Sequence, residues 1–245
     1  MKTAETKSAS DTRLQVDARP AKRPQRVRLE GLVVSLIPLD PVAHTEALFA
    51  GAGGGKNESL WRYLFEGPFP SRPAFDTLLL QKASSDDPLF FAILDKPSGE
   101  ATGYASYMRI EPTHRVIEVG SILFTPRLQR TIGATEAMYL MARHAFEDLG
   151  YRRYEWKCNA LNAPSRSAAL RLGFTFEGIF RQHMIVKGCN RDSAWYSMLD
   201  SEWPQRKAAF ERWLEPSNFD SNGRQRTSLS VLNQKVSIAA LNHGR

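Results

Sequence analysis

The chain has 245 residues, 42% of them hydrophobic, a formal net charge of +7 and two cysteines. That content suits a globular protein of one large domain or two small ones, and no run approaches the roughly 20 apolar residues that span a bilayer. Cys158 and Cys189 give no disulfide framework and fit a reducing, cytoplasmic compartment; no Cys or His pair has metal-site spacing, so no metal is expected.

The charge sits at the ends. Residues 1–26 carry seven Lys/Arg against three Asp/Glu, residues 216–245 carry four against one, and the remaining 189 balance at 22 of each sign. Both ends are poor in aromatics and rich in polar residues, which predicts a disordered basic tail at 1–26, a domain at 27–215 and a mostly disordered basic tail at 216–245. Leu229 to Leu241 is weakly amphipathic, so a short helix there stays open. Basic tails also leave open a phosphate contact with nucleic acid or a ribosome.

Val27 to Leu39 reads as two extended pieces around Gly31, and Pro41 to Ala50 has helical spacing. Gly51 to Gly55 is a loop rather than a phosphate loop, because Lys56 is followed by Asn57 and no strand leads in. A helical turn at Leu60 to Phe65 and a helix at Ser71 to Ser84, with Ser71 as cap, complete a helical front. Strands follow at Leu89 to Leu94, Ala101 to Ile110 and Arg115 to Phe124. Thr131 to Leu149 is the strongest helix, with Ala134, Met138, Met141, Ala145 and Leu149 recurring at three and four residues. Tyr154 to Cys158 is a short strand. Asn162 then caps a helix with Pro164 in its first turn, and Gly173 stops it. Phe174 opens another extended run, Arg191 to Leu199 is the last strand, and Glu202 to Leu214 is a terminal helix anchored by Trp203 and Trp213. Periodicity alone gives an α/β (α+β mixed) fold with a mixed sheet.

Two motifs carry the chemistry. In the first, Glu118-Val119-Gly120-Ser121-Ile122-Leu123-Phe124-Thr125-Pro126 feeds the start of the long helix, whose first-turn N–H groups and dipole suit a pyrophosphate. In the second, Asn159, Asn162 and Ser165 precede a small-residue helix ending in Leu172-Gly173-Phe174. Together with the element order, these motifs resemble the GNAT superfamily of N-acetyltransferases over about Val27 to Leu214, and most closely its ribosomal-protein N-terminal acetyltransferase-like group.

The resemblance implies a mostly antiparallel sheet, splayed in its middle, with helices on both faces and acetyl-CoA in the wedge. It places the cosubstrate on Phe124, Thr125, Gln129, Arg130, Thr131, Ile132, Gly133, Ala134, Thr135 and Asn162, with main-chain N–H groups around Phe124 and Thr125 holding its carbonyl and pantetheine arm. Ser165 is implied as the acid that protonates the departing thiolate. Aligned on Thr135-Glu136-Ala137, the family's Gln/Arg-x-x-Gly-x-Gly/Ala pattern puts Ile132 at the first glycine; the other register, from Arg130, restores Gly133 there. Arg127 and Arg130 can add charge for phosphates. Where ribosomal-protein relatives carry an acid, this chain has Met184, and strand alternation points the adjacent His183 to the opposite face. Glu118 is the best carboxylate candidate for the base, and a water chain ending at either Glu118 or His183 can deprotonate an ammonium. The implied reaction is direct acetyl transfer to a primary amine, on a small molecule or a protein N-terminus. Ile132 and Met184 keep open a non-catalytic CoA- or partner-binding protein, and the tails a ribosome- or RNA-associated module. Nothing in the sequence gives the oligomeric state.

Overall fold

Eight strands form one sheet in the order β1-β2-β3-β4-β5-β6-β8-β7 in the computed structural model, which describes residues 15–234. The strands are β1 (Leu29–Glu30), β2 (Val34–Pro38), β3 (Leu89–Asp95), β4 (Ala101–Glu111), β5 (Val116–Phe124), β6 (Arg153–Asn159), β7 (Thr175–Val186) and β8 (Cys189–Leu199). Every neighbouring pair is antiparallel except β5 and β6.

The helices fall on both faces. On one face α1 (Pro41–Ala52) and α2 (Arg72–Ser84) cover β3 and β4, closing a core around Leu48, Phe75, Leu79, Phe90, Tyr104 and Leu123. On the other, α3 (Ile132–Arg143), α4 (Ala163–Arg171) and α5 (Trp203–Leu214) close a larger core around Leu36, Phe91, Tyr107, Ile117, Tyr154 and Tyr196. Helix α3 runs on into a π-helical turn, His144–Asp148. Both tryptophans of α5 are buried, as their anchoring role requires.

Local chemistry sets these boundaries. Asp40 accepts from Val42 N at 2.9 Å and starts α1, Thr131 accepts from Ala134 N at 3.2 Å and starts α3, and Asn162 accepts from Ser165 N at 3.2 Å and starts α4. Gly173 follows α4 at φ +95°, a conformation that side-chain-bearing residues rarely adopt. Ser71 precedes α2 but makes no side-chain cap, and the helix begins instead with Arg72-Pro73. The glycine cluster is shorter than a free loop: Gly51 and Ala52 belong to α1, and a 3-10 helix spans Gly55–Trp61.

The chain ends differ from the compositional expectation. Residues 1–14 and 235–245, which carry a net +3 of the +7 in the two tails, lie outside the described residues. Within 15–26, Ala21 N donates to Pro112 O at 3.0 Å and Lys22 N to Leu149 O at 2.9 Å. The stretch expected to be mostly disordered from 216 is packed through 234. It forms a short 3-10 helix, a bridge between Phe219 and Gln225, and a helical segment at 229–234. Leu229 and Leu232 are buried in the larger core. The short helix left open from Leu229 is thus present over 229–234, where two leucines each remove an apolar side chain from water.

Candidate active site

The central pair of strands parts company. β5 and β6 are in register only at Val116, Ile117 and Glu118, opposite Arg153, Tyr154 and Glu155. Beyond that point β5 stays with β4, β6 stays with β8, and Ser121, at φ +47°, sits at an irregularity in the β4–β5 ladder. A cleft of about 1080 Å³ occupies the fork. Its volume lies at the upper end for small-molecule sites.

One end of the cleft is the amino end of α3. Gln129, Arg130, Thr131, Ile132, Ala134 and Thr135 all line it. The first-turn N–H groups of a helix lack intrahelical partners; here Thr131 Oγ takes that of Ala134 and Leu128 O that of Thr131. The left-handed residue of this turn is Arg130, at φ +60°, not Ile132. Ile132 therefore needs no positive φ and packs half-buried against the larger core. Gly133 is buried and does not line the cleft: a Cβ there would come within 2.7 Å of Val34 Cγ1. Both expected registers thus meet the same geometry, with the close-packing glycine one residue past Ile132.

Thr125 does not fit its expected place. Its N–H donates to Thr102 O at 3.1 Å, its hydroxyl donates to the same oxygen at 2.6 Å, and it lies inside the protein beside Gly51. Its amide is thus unavailable to a cosubstrate, whereas Phe124 does line the cleft. Arg127 is also turned away, paired with Glu100 and Asp95. The basic side chains that do line this end of the cleft are Arg130 and Arg171. Arg171 donates to Thr135 Oγ at 3.0 Å and lies 4.9 Å from the Trp213 ring centre. It has no carboxylate partner among the described residues, and burial pulls its pKa down from the ordinary arginine value. The sequence offered no sign of Arg171, which is one more basic residue in the last turn of a helix.

The motif residue Glu136 has another task. Its carboxylate accepts from Leu32 N at 2.6 Å, Val33 N at 2.8 Å and Val34 N at 2.9 Å, tying α3 to the β1–β2 turn.

At the middle of the cleft, Ser165 accepts from Trp156 Nε1 at 3.0 Å, and its hydroxyl also meets the Cys158 thiol. Burial pushes the Cys158 thiol up, with Ser165 and the nearby Arg191 and Arg166 opposing that effect. Asn162 spends its side-chain oxygen on the helix cap, which leaves its amide NH2 to offer a ligand. Tyr63 arches over from beyond the 3-10 helix and donates to Leu161 O at 3.1 Å.

The far end is charged. Glu118 lines the cleft and is the only carboxylate among the described lining residues. It receives Arg109 at 2.7 Å and Lys157 at 2.9 Å. Lys157 also meets Glu155 at 2.6 Å and lies 3.9 Å from the Trp195 ring centre. Met184 is opposite Arg191 in the β7–β8 ladder. His183 contradicts simple alternation, because an irregularity between Phe180 and Met184, with Gln182 at φ +49°, resets the strand. Its Nδ1 lies 2.9 Å from Ser193 Oγ. Burial, then Arg109, Arg191 and Lys157, draw its pKa down, and Glu118 draws it up. The sequence reading passed over Arg109, Lys157 and Arg191; cross-strand pairing brings them together from three separate strands.

A forked sheet with a helix amino end at the fork defines an acyl-CoA-type transferase fold, and the family comparison agrees. Residues 35–175 match the model of the acetyltransferase (GNAT) domain, and the chain belongs to that family. It is similar to the crystal structure of a GCN5-related N-acetyltransferase from Brucella melitensis, at 49% identity and a TM-score of 0.86 over 88% of this chain and 98% of that one. It is also similar to a probable GNAT-family acetyltransferase from Chromobacterium violaceum, at 41% identity and a TM-score of 0.72 over 82% of this chain and all of that one. A curated relative, the ribosomal-protein-serine acetyltransferase of Escherichia coli, is 30% identical over 104 residues, 42% of this chain and 58% of that protein. The chain thus spans less than two thirds of the curated relatives it matches. No helix among the described residues is long and apolar enough to cross a membrane.

Proposed function

We propose that this chain moves the acetyl group of acetyl-CoA to a primary amine by direct transfer in a ternary complex, within the cytoplasm. The observation that carries the proposal is the β5–β6 fork itself. It joins a helix amino end with two cleft-lining arginines to a centre where Ser165 and Glu118 both face the same cleft. Acetyl-CoA supplies an activated thioester. Arg130, Arg171 and the first turn of α3 answer its phosphate charge, and Phe124 and Asn162 line the path between.

Ser165 then holds the proton for the departing sulfur, with its Oγ oriented by the Trp156 indole. Glu118 takes the proton of the incoming amine by hydrogen bond or through one water, and Arg109 and Lys157 fix its carboxylate in place. Cys158 forms no acetyl intermediate in this scheme, since a buried thiol with a raised pKa is a weak nucleophile. The acetyltransferase unit runs over 27–215, with 216–234 added as a packed wall. The acceptor is an amine of a small molecule or a protein N-terminus; the Escherichia coli relative's name favours the latter.

The test is CoA thiol release from acetyl-CoA across a panel of amines and peptides. Ser165→Ala and Glu118→Gln should each lower kcat on the order of a hundredfold. CoA affinity, read by calorimetry, should change little. No thiol release with any amine, despite CoA binding, would favour a non-catalytic CoA-binding role.

A further inference from the structure

Strand β8 brings into the cleft an arginine that no acid answers. Arg191 is only 7% exposed and lines the cleft beside Phe65, whose ring centre lies 5.1 Å from its guanidinium carbon. Its side chain makes no hydrogen bond or ion pair among the described residues, and its Nε is buried without a partner. The nearest acid, Glu118, already receives both Arg109 and Lys157. An arginine remains charged in a protein, and a buried charge left without hydrogen bonds costs several kcal/mol by general rule. A fold that keeps one facing a cleft is built to receive an anion.

The position selects which anion. The charges that reach Arg191 are those of Cys158, Glu118 and Arg109, not those around α3. The cosubstrate's phosphates have their own cations in Arg130 and Arg171. In the acceptor half, Glu118 meets Arg109 and Lys157, and Glu155 meets Lys157 and Arg153, whereas Arg191 meets no acid among the described residues. A planar fork without an acid partner, close to the Glu118 carboxylate, fits a singly charged carboxylate better than a doubly charged phosphate.

We propose that Arg191 receives a carboxylate carried by the acceptor amine, so that the substrates are amino acids or acidic peptides. This rests on the acetyl-transfer reading above. The burial, the unpaired guanidinium and its place near Glu118 carry the choice.

The experiment compares matched acceptors by thiol release from acetyl-CoA: free amino acids against their amides, and peptides beginning with Asp or Glu against Asn or Gln. Wild-type kcat/KM should favour the carboxylate member on the order of ten- to a hundredfold. A preference confined to free amino acids assigns the main-chain carboxylate; one confined to peptides assigns a side-chain carboxylate. Arg191→Met should bring the ratio near one, and Arg191→Lys should keep part of it, with CoA affinity measured in each variant as a check on folding. Equal rates for acid and amide in wild type, or an unchanged preference in Arg191→Met, would overturn the proposal. Should no acceptor react, the acetyl-transfer reading fails on this panel and Arg191 is judged by calorimetry on CoA-saturated protein. Acid-selective uptake lost in Arg191→Met then supports it, and no uptake, or uptake without selectivity, overturns it.

Discussion

Lys157 and Glu118 form a 2.9 Å ion pair across the strands where the sheet divides, and both side chains are only 4% exposed. The β5–β6 ladder ends at Glu118 opposite Glu155, and Lys157 reaches both acids. Without the lysine, two buried carboxylates would face each other across the fork with only arginines at the margins. Lys157→Met should therefore lower unfolding stability by about 3 kcal/mol, because two buried carboxylates lose the cation they share and keep only one arginine each. Urea unfolding measures it, and a loss below about 1 kcal/mol, the scale of an exposed pair, would show that the pair is solvated.

How much of this was legible in the sequence depends on distance along the chain. Caps, proline positions and helical spacing are local, so α1 follows from its spacing, α3 from its apolar repeat, α4 from Asn162 and Pro164, and α5 from its tryptophans, with boundaries close to those observed. Of the motif residues, Gln129 to Ile132, Ala134, Thr135 and Ser165 line one cleft, while Gly133 is buried behind it. What escaped is set by register. Thr125 points inward because its amide is taken by Thr102, and His183 changes face because of an irregularity that no alternation rule anticipates. Arg109, Lys157 and Arg191 are unremarkable in sequence and acquire meaning only when β4, β6 and β8 bring them beside Glu118. The packed stretch 216–234 was legible only in part: weak amphipathy from Leu229 marks its helical segment, and average polarity hides the packing before it.

Arg171 gives a prediction for cosubstrate binding. It faces the amino end of α3 through Thr135 and has no acid to neutralise it among the described residues. Arg171→Met should weaken CoA binding about tenfold, the scale of one charge-assisted hydrogen bond, and leave the acid-over-amide preference of the acceptor unchanged. Calorimetric titration with CoA reads the first effect and paired acceptors the second. Unaltered CoA affinity would remove Arg171 from the phosphate-binding end.

Glu177 gives a prediction for acid stability. Its carboxylate accepts from Arg153 Nη1 at 2.8 Å and Nη2 at 2.5 Å, and from Ser197 Oγ at 2.6 Å. The Arg153 hydrogen bonds, with Ser197 adding to them, outweigh burial and hold its pKa at about 2, against an ordinary value of 4.5. A depressed carboxylate stabilises the fold above its unfolded pKa, and that contribution is lost as pH falls through the folded value. Glu177→Gln should thus be less stable than wild type near neutral pH, with the gap closing between about pH 4.5 and about pH 2. Because the group is partly exposed, the gap should also shrink with added salt. A difference independent of pH would assign the effect to packing.

The chain beyond α5 yields the last prediction. Leu229 is fully buried and Leu232 nearly so, against the core that α5 shares with α3. Asn218 fixes the approach to them, donating to Trp213 O at 3.0 Å and to Thr227 O at 3.1 Å and accepting from Thr227 N at 3.0 Å. The same segment places Phe219, Gly223 and Gln225 on the cleft wall beside Trp213, over which Arg171 lies. Leu229→Ala should then cost about 3 kcal/mol, as for a leucine truncated in a core that relaxes only partly. It should also weaken CoA binding, since the loosened segment no longer holds the Trp213–Arg171 side of the cleft. Urea unfolding and calorimetry on the same preparation separate the two effects. A solvated tail would show neither, and a segment that packs without touching the site would show only the first.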